Sequence, residues 1–233
     1  RDLFLRKMRC LAEQTCDDFE VIVYHDGPKS VPYEQEVAGM PLHPRTRFVV
    51  TDRRANDWGH TNRDRGIREA AGEWIIHTNA DNVFYPALVE RLKAALGDGV
   101  PPSRAVQRRY PPLMKGILKR IDRRFGTHLR DPQVLAVPEW QILVYAVKMH
   151  GMVPMQTGAL RLRDQADSAV LIFGGVPVRY GSIDAMQLVM RRDLWLAEGG
   201  WYDRSPNGDG RMYQAFAAKY AIRAIPEVLG EHW

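Results

Sequence analysis

Cysteine and long apolar runs are both scarce in this chain of 233 residues, and each scarcity removes a class of protein. Only Cys10 and Cys16 are present, too few for a disulfide framework and wrongly spaced for a zinc knuckle. The expectation is a pair of reduced thiols in a cytoplasmic compartment. No apolar stretch approaches the ~20 residues that cross a bilayer; the most apolar pieces, Gln141 to Val147 and Val170 to Phe173, are strand-sized. The first residue is Arg1, with no charged-then-apolar leader pattern after it, so a processed chain or a piece of a longer one is expected. A glycine-rich phosphate loop is also lacking, which argues against nucleotidyl transfer.

What is present reads as globular: 45% apolar and 26% charged residues lie close to soluble averages, so neither disorder nor a membrane protein is the default. The net charge of +5 hints at nucleic acid until it is located. Ser103 to Asp131 holds nine Lys/Arg against two Asp, a local +7, so the rest of the chain sums to −2. Basicity is a local insert. Within it Leu113, Ile117, Ile121 and Phe125 recur every four residues between Lys119, Arg120, Arg123 and Arg124, a basic amphipathic helix. Two readings stand: a solvated face, or peripheral contact of 113–125 with an anionic membrane at its cytoplasmic side. Only Tyr110 and Phe125 interleave with the charges, so no nucleic-acid partner is expected.

Along the chain, strands alternate with helices. A stripe of Leu3, Leu5, Met8 and Leu11 predicts a helix, and Phe19 to Tyr24 a buried strand that His25-Asp26-Gly27-Pro28 stops. Thr46 to Thr51 predicts a second strand and Thr61 to Ala71 a helix, with Gly72 at its carboxyl cap. Trp74-Ile75-Ile76 is a third strand, followed directly by Asn79-Ala80-Asp81-Asn82, and Pro86 opens a helix through Leu96. Further strands are expected at Trp140 to Val147, Val170 to Phe173 and Gln187 to Met190, and helices at Asp193 to Glu198 and Asp209 to Tyr220. This alternation predicts an α/β fold with a mostly parallel central sheet flanked by helices.

A buried strand that ends on a carboxylate puts that charge at the sheet rim, where ligands sit. Asp81 is such a carboxylate, and Asp26 is another. Turn capping by the same Asp81 is the structural alternative. Asp209, between two glycines at a helix start, suits a general base or an N-cap. His60 and His77 are expected to be structural, and one of Trp201 and Tyr202 to lie in the core.

Three blocks in order carry a family resemblance: CLAEQTCDDFEVIVYHDGP, NRDRGIREAAGEWIIHTNADN, and MRRDLWLAEGGWYD with GDGRMYQAF. Together they resemble family 2 glycosyltransferases of the GT-A fold. The resemblance implies a GT-A-like single domain over 1–233, with a nucleotide-sugar-binding half at 1–99, the basic insert at 100–135 and an acceptor half at 136–233. It implies transfer of a sugar, with inversion, from a nucleotide-diphosphate donor, a UDP-sugar by expectation, to a hydroxyl of a glycan, lipid-linked or small-molecule acceptor. His25, Asp26, Arg63 and Asn79 would bind the nucleotide sugar, Asp81 and His232 would hold Mn²⁺ or Mg²⁺, and Asp209 would be the base. Two departures accompany it. The family's DxD is Asn79-Ala80-Asp81 here, one carboxylate replaced by an amide, which lowers the expected metal affinity. No counterpart of the family's first strand precedes the Leu3 to Leu11 helix, so an N-terminally incomplete chain is expected. A nucleotide-sugar-binding module with weak or no catalysis is the alternative.

Overall fold

The computed structural model describes residues 2–97, 104–106, 133–135, 140–154, 160–162 and 170–233. The chain divides into two units, Arg1–Asp98 with Trp140–Trp233, and Gly99–Glu139. The basic amphipathic helix expected at 113–125 lies outside the described residues.

The larger unit opens with α1 (Asp2–Ala12), which buries Met8 and Leu11 of its apolar stripe and, on the same face, Lys7. Strands β1 (Val21–His25) and β2 (Thr46–Val50) pair in parallel, Val21 opposite Thr46, with the short α2 (Tyr33–Glu36) between them. Next come α3 (His60–Glu69), β3 (Trp74–Ile76), β4 (Asn82–Phe84) and α4 (Leu88–Gly97). Helix α3 stops at Ala70, short of Gly72. Glycine in the left-handed conformation is not what ends it: Ala70 turns to extended backbone at φ −63° and ψ 141°, and the Glu20 carboxylate accepts the Ala71 and Gly72 N–H groups at 2.6 and 3.0 Å, which holds the departing chain.

In the smaller unit, β5 (Arg104–Val106) and β6 (Gln133–Leu135) pair antiparallel. The larger unit resumes with β7 (Ile142–His150), β8 (Met152–Pro154), β9 (Leu160–Leu162), β10 (Val170–Phe173) and β11 (Leu188–Arg191). Helices α5 (Arg192–Ala197) and α6 (Gly208–Lys219) follow, and β12 (Ile222–His232) comes last.

The main sheet runs β3-β11-β7-β12-β4, with β10 also on β7. Its directions are mixed: β7 and β12 are parallel, and the other four pairings are antiparallel. Strand β12 escaped the sequence reading because Pro226 interrupts it, and the interruption falls at a register shift between Ile225 and Val228.

Successive residues of a strand point to opposite faces, and β7 shows what that means when both faces are covered. Leu143, Tyr145, Val147 and Met149 join a core with Met8 and Leu11 of α1 and Leu88 and Leu92 of α4. Ile142 and Val144 join the other core, with Ile67, Trp195, Tyr213 and Phe216 of α3, α5 and α6. A strand buried on both sides loses its polar alternation, hence the unbroken apolar run from Ile142 to Val147. Among the described residues no helix is long and apolar enough to cross a membrane.

Candidate functional site

The candidate residues lie after the carboxyl end of β1, in the two-stranded sheet with β2, and, in the main sheet, between β3 and β4 and at the end of β12. At the first of these, Asp26 accepts the backbone N–H of Ala55 at 2.9 Å and of Asn56 at 3.1 Å, and Asn62 approaches at 3.4 Å. The Ala55 bond first, with Asn56, Asn62 and the Arg54 charge, holds its carboxyl below the usual range despite some burial. Asp26 thereby fastens the loop after β2, in which Asn56, Trp58 and Gly59 all have positive φ. Asn adopts left-handed backbone readily, but for Trp it is costly and is retained where surroundings impose it. His25 donates from Nδ1 to the Gly27 carbonyl at 2.8 Å.

Arg63 is the hub. Its guanidinium donates to the Trp58 carbonyl at 2.8 Å, to His60 Nδ1 at 3.2 Å and to Asn79 Oδ1 at 2.6 Å, and it lies over the Trp201 ring at 5.0 Å. The His60 tautomer follows from these partners. Its Nε2 faces the Ser205 carbonyl at 3.1 Å and must donate, so Nδ1 carries the lone pair that accepts from Arg63. Burial, and then the Arg63 charge, keep His60 below its ordinary pKa and so neutral. His60 stacks on Trp201 at 5.4 Å, and His77 meets Trp195 and Trp201 edge-on at 5.1 and 4.7 Å. His77 is fully buried and its pKa is held well down by desolvation, in keeping with the structural role expected for it. Trp201 is 1% exposed and Tyr202 51%, so the core reading applies to the tryptophan.

Asp209 is the second residue of α6, not its cap. The cap position is Asn207, left-handed at φ 60° and without a side-chain cap bond. Asp209 Oδ1 accepts from Gly210 N at 2.8 Å. The flanking glycines are set by the protein's own packing: a Cβ on Gly208 would lie 2.3 Å from the Asp203 carbonyl oxygen, and one on Gly210 3.1 Å from the Tyr180 ring. Asp203, bound by Arg211 at 2.7 Å and by Ser205, holds the loop that presents Asp209. The Arg211 and Ser205 bonds depress the Asp203 pKa strongly.

Asp81 and His232 are brought together by backbone pairing. His232 is the register partner of Asn82, and the Trp233 N–H donates to the Asp81 carbonyl at 3.3 Å. Asp81 Oδ1 is inaccessible to solvent and has no hydrogen-bond partner. His232 Nδ1 is engaged by Asp184 Oδ2 at 2.9 Å. Burial pulls the His232 pKa down, but the Asp184 bond and the charges of Asp184 and Asp81 together raise it above the ordinary value. Lys7 reaches the same end of the sheet: it donates to Thr78 Oγ1 at 2.7 Å, rests 3.7 Å over the Phe84 ring, and is 5% exposed. Desolvation lowers its pKa to about 8, against the pull of Cys10, Asp81 and Asp184.

Among the described residues no three His, Cys, Asp or Glu side chains converge to hold a metal by themselves. The orphaned Asp81 oxygen beside His232 fits a hard divalent ion that takes part of its shell from elsewhere, as Mg²⁺ does from substrate phosphates and water. Asp184 and Lys7 went unseen in the sequence. Lys7 left a signal, a charge four residues from Leu3 and from Leu11 on the apolar stripe, but Asp184 left none.

A sequence model of the family described as Glycosyl transferase family 2 matches residues 2–151. No curated protein matches by sequence. Two solved structures similar in fold are S. aureus TarS 1-349, at TM-score 0.60 and 10% identity, and TarS 1-349 in complex with UDP, at 0.56 and 8%. Each alignment covers 98% of this chain, and it covers 56% and 55% of those chains. This chain thus spans little more than half the length of the structures it resembles.

Proposed function

Since the chain belongs to glycosyl transferase family 2, we propose that it carries the catalytic site of an enzyme that moves a sugar from a nucleoside diphosphate to a hydroxyl acceptor. The observation that carries this reading is the side-chain relay His60–Arg63–Asn79, with bonds of 3.2 and 2.6 Å, which starts beside the Asp209 loop and ends two residues from Asp81. A carboxylate on the acceptor side and a cation-ready rim on the donor side are what such a transfer needs.

In this reading His25 and Asp26, with the loop that Asp26 fastens, line the nucleotide end, and Arg63 offers its positive charge to the diphosphate. Asn79 accepts from Arg63 through its amide oxygen, so the residue that departs from DxD still ties the guanidinium to the turn before Asp81. Asp81 and His232 would hold Mn²⁺ or Mg²⁺, which when bound neutralises charge on the leaving diphosphate. Asp209 takes the proton of the acceptor hydroxyl as its oxygen bonds to the anomeric carbon and the carbon–oxygen bond to the diphosphate breaks. Attack from the face opposite the leaving group inverts the anomeric centre. A UDP-sugar is the proposed donor, and a glycan, lipid-linked or small-molecule hydroxyl the acceptor. The two free cysteines support a cytoplasmic setting.

A thermal-shift screen of nucleotide sugars with and without Mn²⁺ tests the reading, because a ligand of the native state raises its melting temperature. The expected result is a Mn²⁺-dependent shift with one UDP-sugar, plus slow release of UDP that Asp81→Ala abolishes. A metal-dependent shift without turnover would move the conclusion to a binding module. No shift and no turnover with any nucleotide sugar would overturn both.

A further inference from the structure

A histidine that binds a metal through Nε2 needs its other nitrogen anchored, or the ring turns away and the wrong tautomer competes. His232 has such an anchor. Its Nδ1 lies 2.9 Å from Asp184 Oδ2, with side chains only 18% and 13% exposed. With the ring neutral, that bond requires Nδ1–H and leaves the lone pair on Nε2, which has no hydrogen bond among the described residues.

Asp184 is itself rigidly held. Its Oδ1 accepts the Met186 N–H at 3.0 Å, and its own N–H donates to Gln187 Oε1 at 2.9 Å. Gln187 is wholly buried and donates through Nε2 to the carbonyls of Tyr145 and Phe173, at 2.9 and 3.1 Å, tying the turn to β7 and β10. Gly175 keeps space for it: a Cβ there would come within 2.8 Å of Gln187 Nε2. The anchor thus stands on the central sheet, whereas the ring it holds is at the end of β12.

From this geometry we propose that Asp184 is a positioning residue of the metal site: it fixes the tautomer and orientation of His232 so that Nε2 faces the ion beside Asp81. The inference rests on the proposed reading of Asp81 and His232 as the metal-facing pair. Asp184 is assigned to positioning and not to ligation, because each of its oxygens already accepts a bond, from Met186 N–H and from the imidazole, and no three such side chains converge among the described residues. Asparagine there keeps an acceptor for Met186, but its amide nitrogen, if turned to His232, meets Nδ1 donor to donor.

The test is Mn²⁺ binding, measured by the electron paramagnetic resonance signal of the free ion, with metal alone and with UDP added. Asp184→Asn, His232→Ala and the double variant are compared with the unaltered chain, and metal-free melting temperatures check folding. Loss of an outer partner of a metal-bound histidine weakens binding by about 10–100-fold. Asp184→Asn is expected to show that loss, and to add nothing further in the His232→Ala background. If Asp184→Asn binds Mn²⁺ as the unaltered chain does, or weakens it equally with His232 absent, the positioning role is overturned while the metal site stands. If the unaltered chain binds no Mn²⁺ with or without UDP, the reading beneath it fails. Asp184→Glu, which restores an acceptor for Nδ1–H, is expected to recover part of the affinity, and absence of recovery alongside a normal melting temperature counts against the proposal.

Discussion

Asn79 Oδ1 accepts a hydrogen bond from the Arg63 guanidinium at 2.6 Å, across the gap between α3 and the turn after β3. An amide oxygen therefore does the positioning that a carboxylate would do, without adding a negative charge next to Asp81. The same guanidinium holds the Trp58 carbonyl and His60, so the start of α3 and the turn after β3 depend on one planar fork.

Arg63→Lys tests that dependence. Lysine keeps the charge but cannot reach several acceptors in one plane. The expected outcome is a nucleotide-sugar dissociation constant raised about tenfold, the size of one lost hydrogen bond to a charged group. Calorimetric titration with the donor checks it.

Asp209→Asn separates catalysis from folding. The amide can still accept from Gly210 N–H through Oδ1, so the melting temperature should hold. Removal of a general base should lower kcat by about 10²–10⁴-fold, with donor affinity unchanged. Steady-state kinetics beside a binding titration would show the split; equal losses in both would count against a base.

Lys7 predicts a pH dependence of stability in the metal-free protein. Its folded pKa of about 8 lies below the ordinary lysine value of 10.5, so between these values the unfolded chain binds a proton that the folded one does not. Stability therefore rises with pH across that window, and the full cost of burying the ammonium is felt below it. That cost is on the order of 3 kcal/mol. Lys7→Met should flatten the rise and raise the urea midpoint at neutral pH, as seen by chemical denaturation from neutral to alkaline pH.

Trp201 and Tyr202 are adjacent yet should differ sharply. Trp201 stacks on Trp195 at 5.6 Å and is sealed in the core, whereas Tyr202 is half exposed. Trp201→Ala should cost about 3–5 kcal/mol. Tyr202→Ala should stay within about 1 kcal/mol, as surface changes mostly do. Denaturant midpoints of the two variants decide the matter.

How much of this was legible beforehand differs by element. Apolar stripes located α1 and α4, and flanking loop and glycine residues located α3 and α6, each to within a few residues, because both signals are local properties of the chain. The apolar run from Gln141 to Val147 read as a strand, but its cover on both faces came from the structure. Strand directions were less legible: alternating strands and helices suggested a mostly parallel sheet, but antiparallel partners of β7 and β12 enter through β10, β11 and β4. Nothing local to a strand encodes the direction of its neighbour.

By itself the sequence determined the α/β layering, the family blocks, and the carboxylates left at strand and helix ends, Asp26, Asp81 and Asp209. Only the tertiary structure decided what surrounds them. The Asp184–His232 bond joins residues 48 apart and the Lys7–Thr78 bond residues 71 apart. Such contacts arise when the sheet closes and the backbone pairing of β4 with β12 sets His232 opposite Asn82, beside Asp81. A local pattern carries no record of that closure, because the distance between two side chains is fixed by the packing of every layer between them.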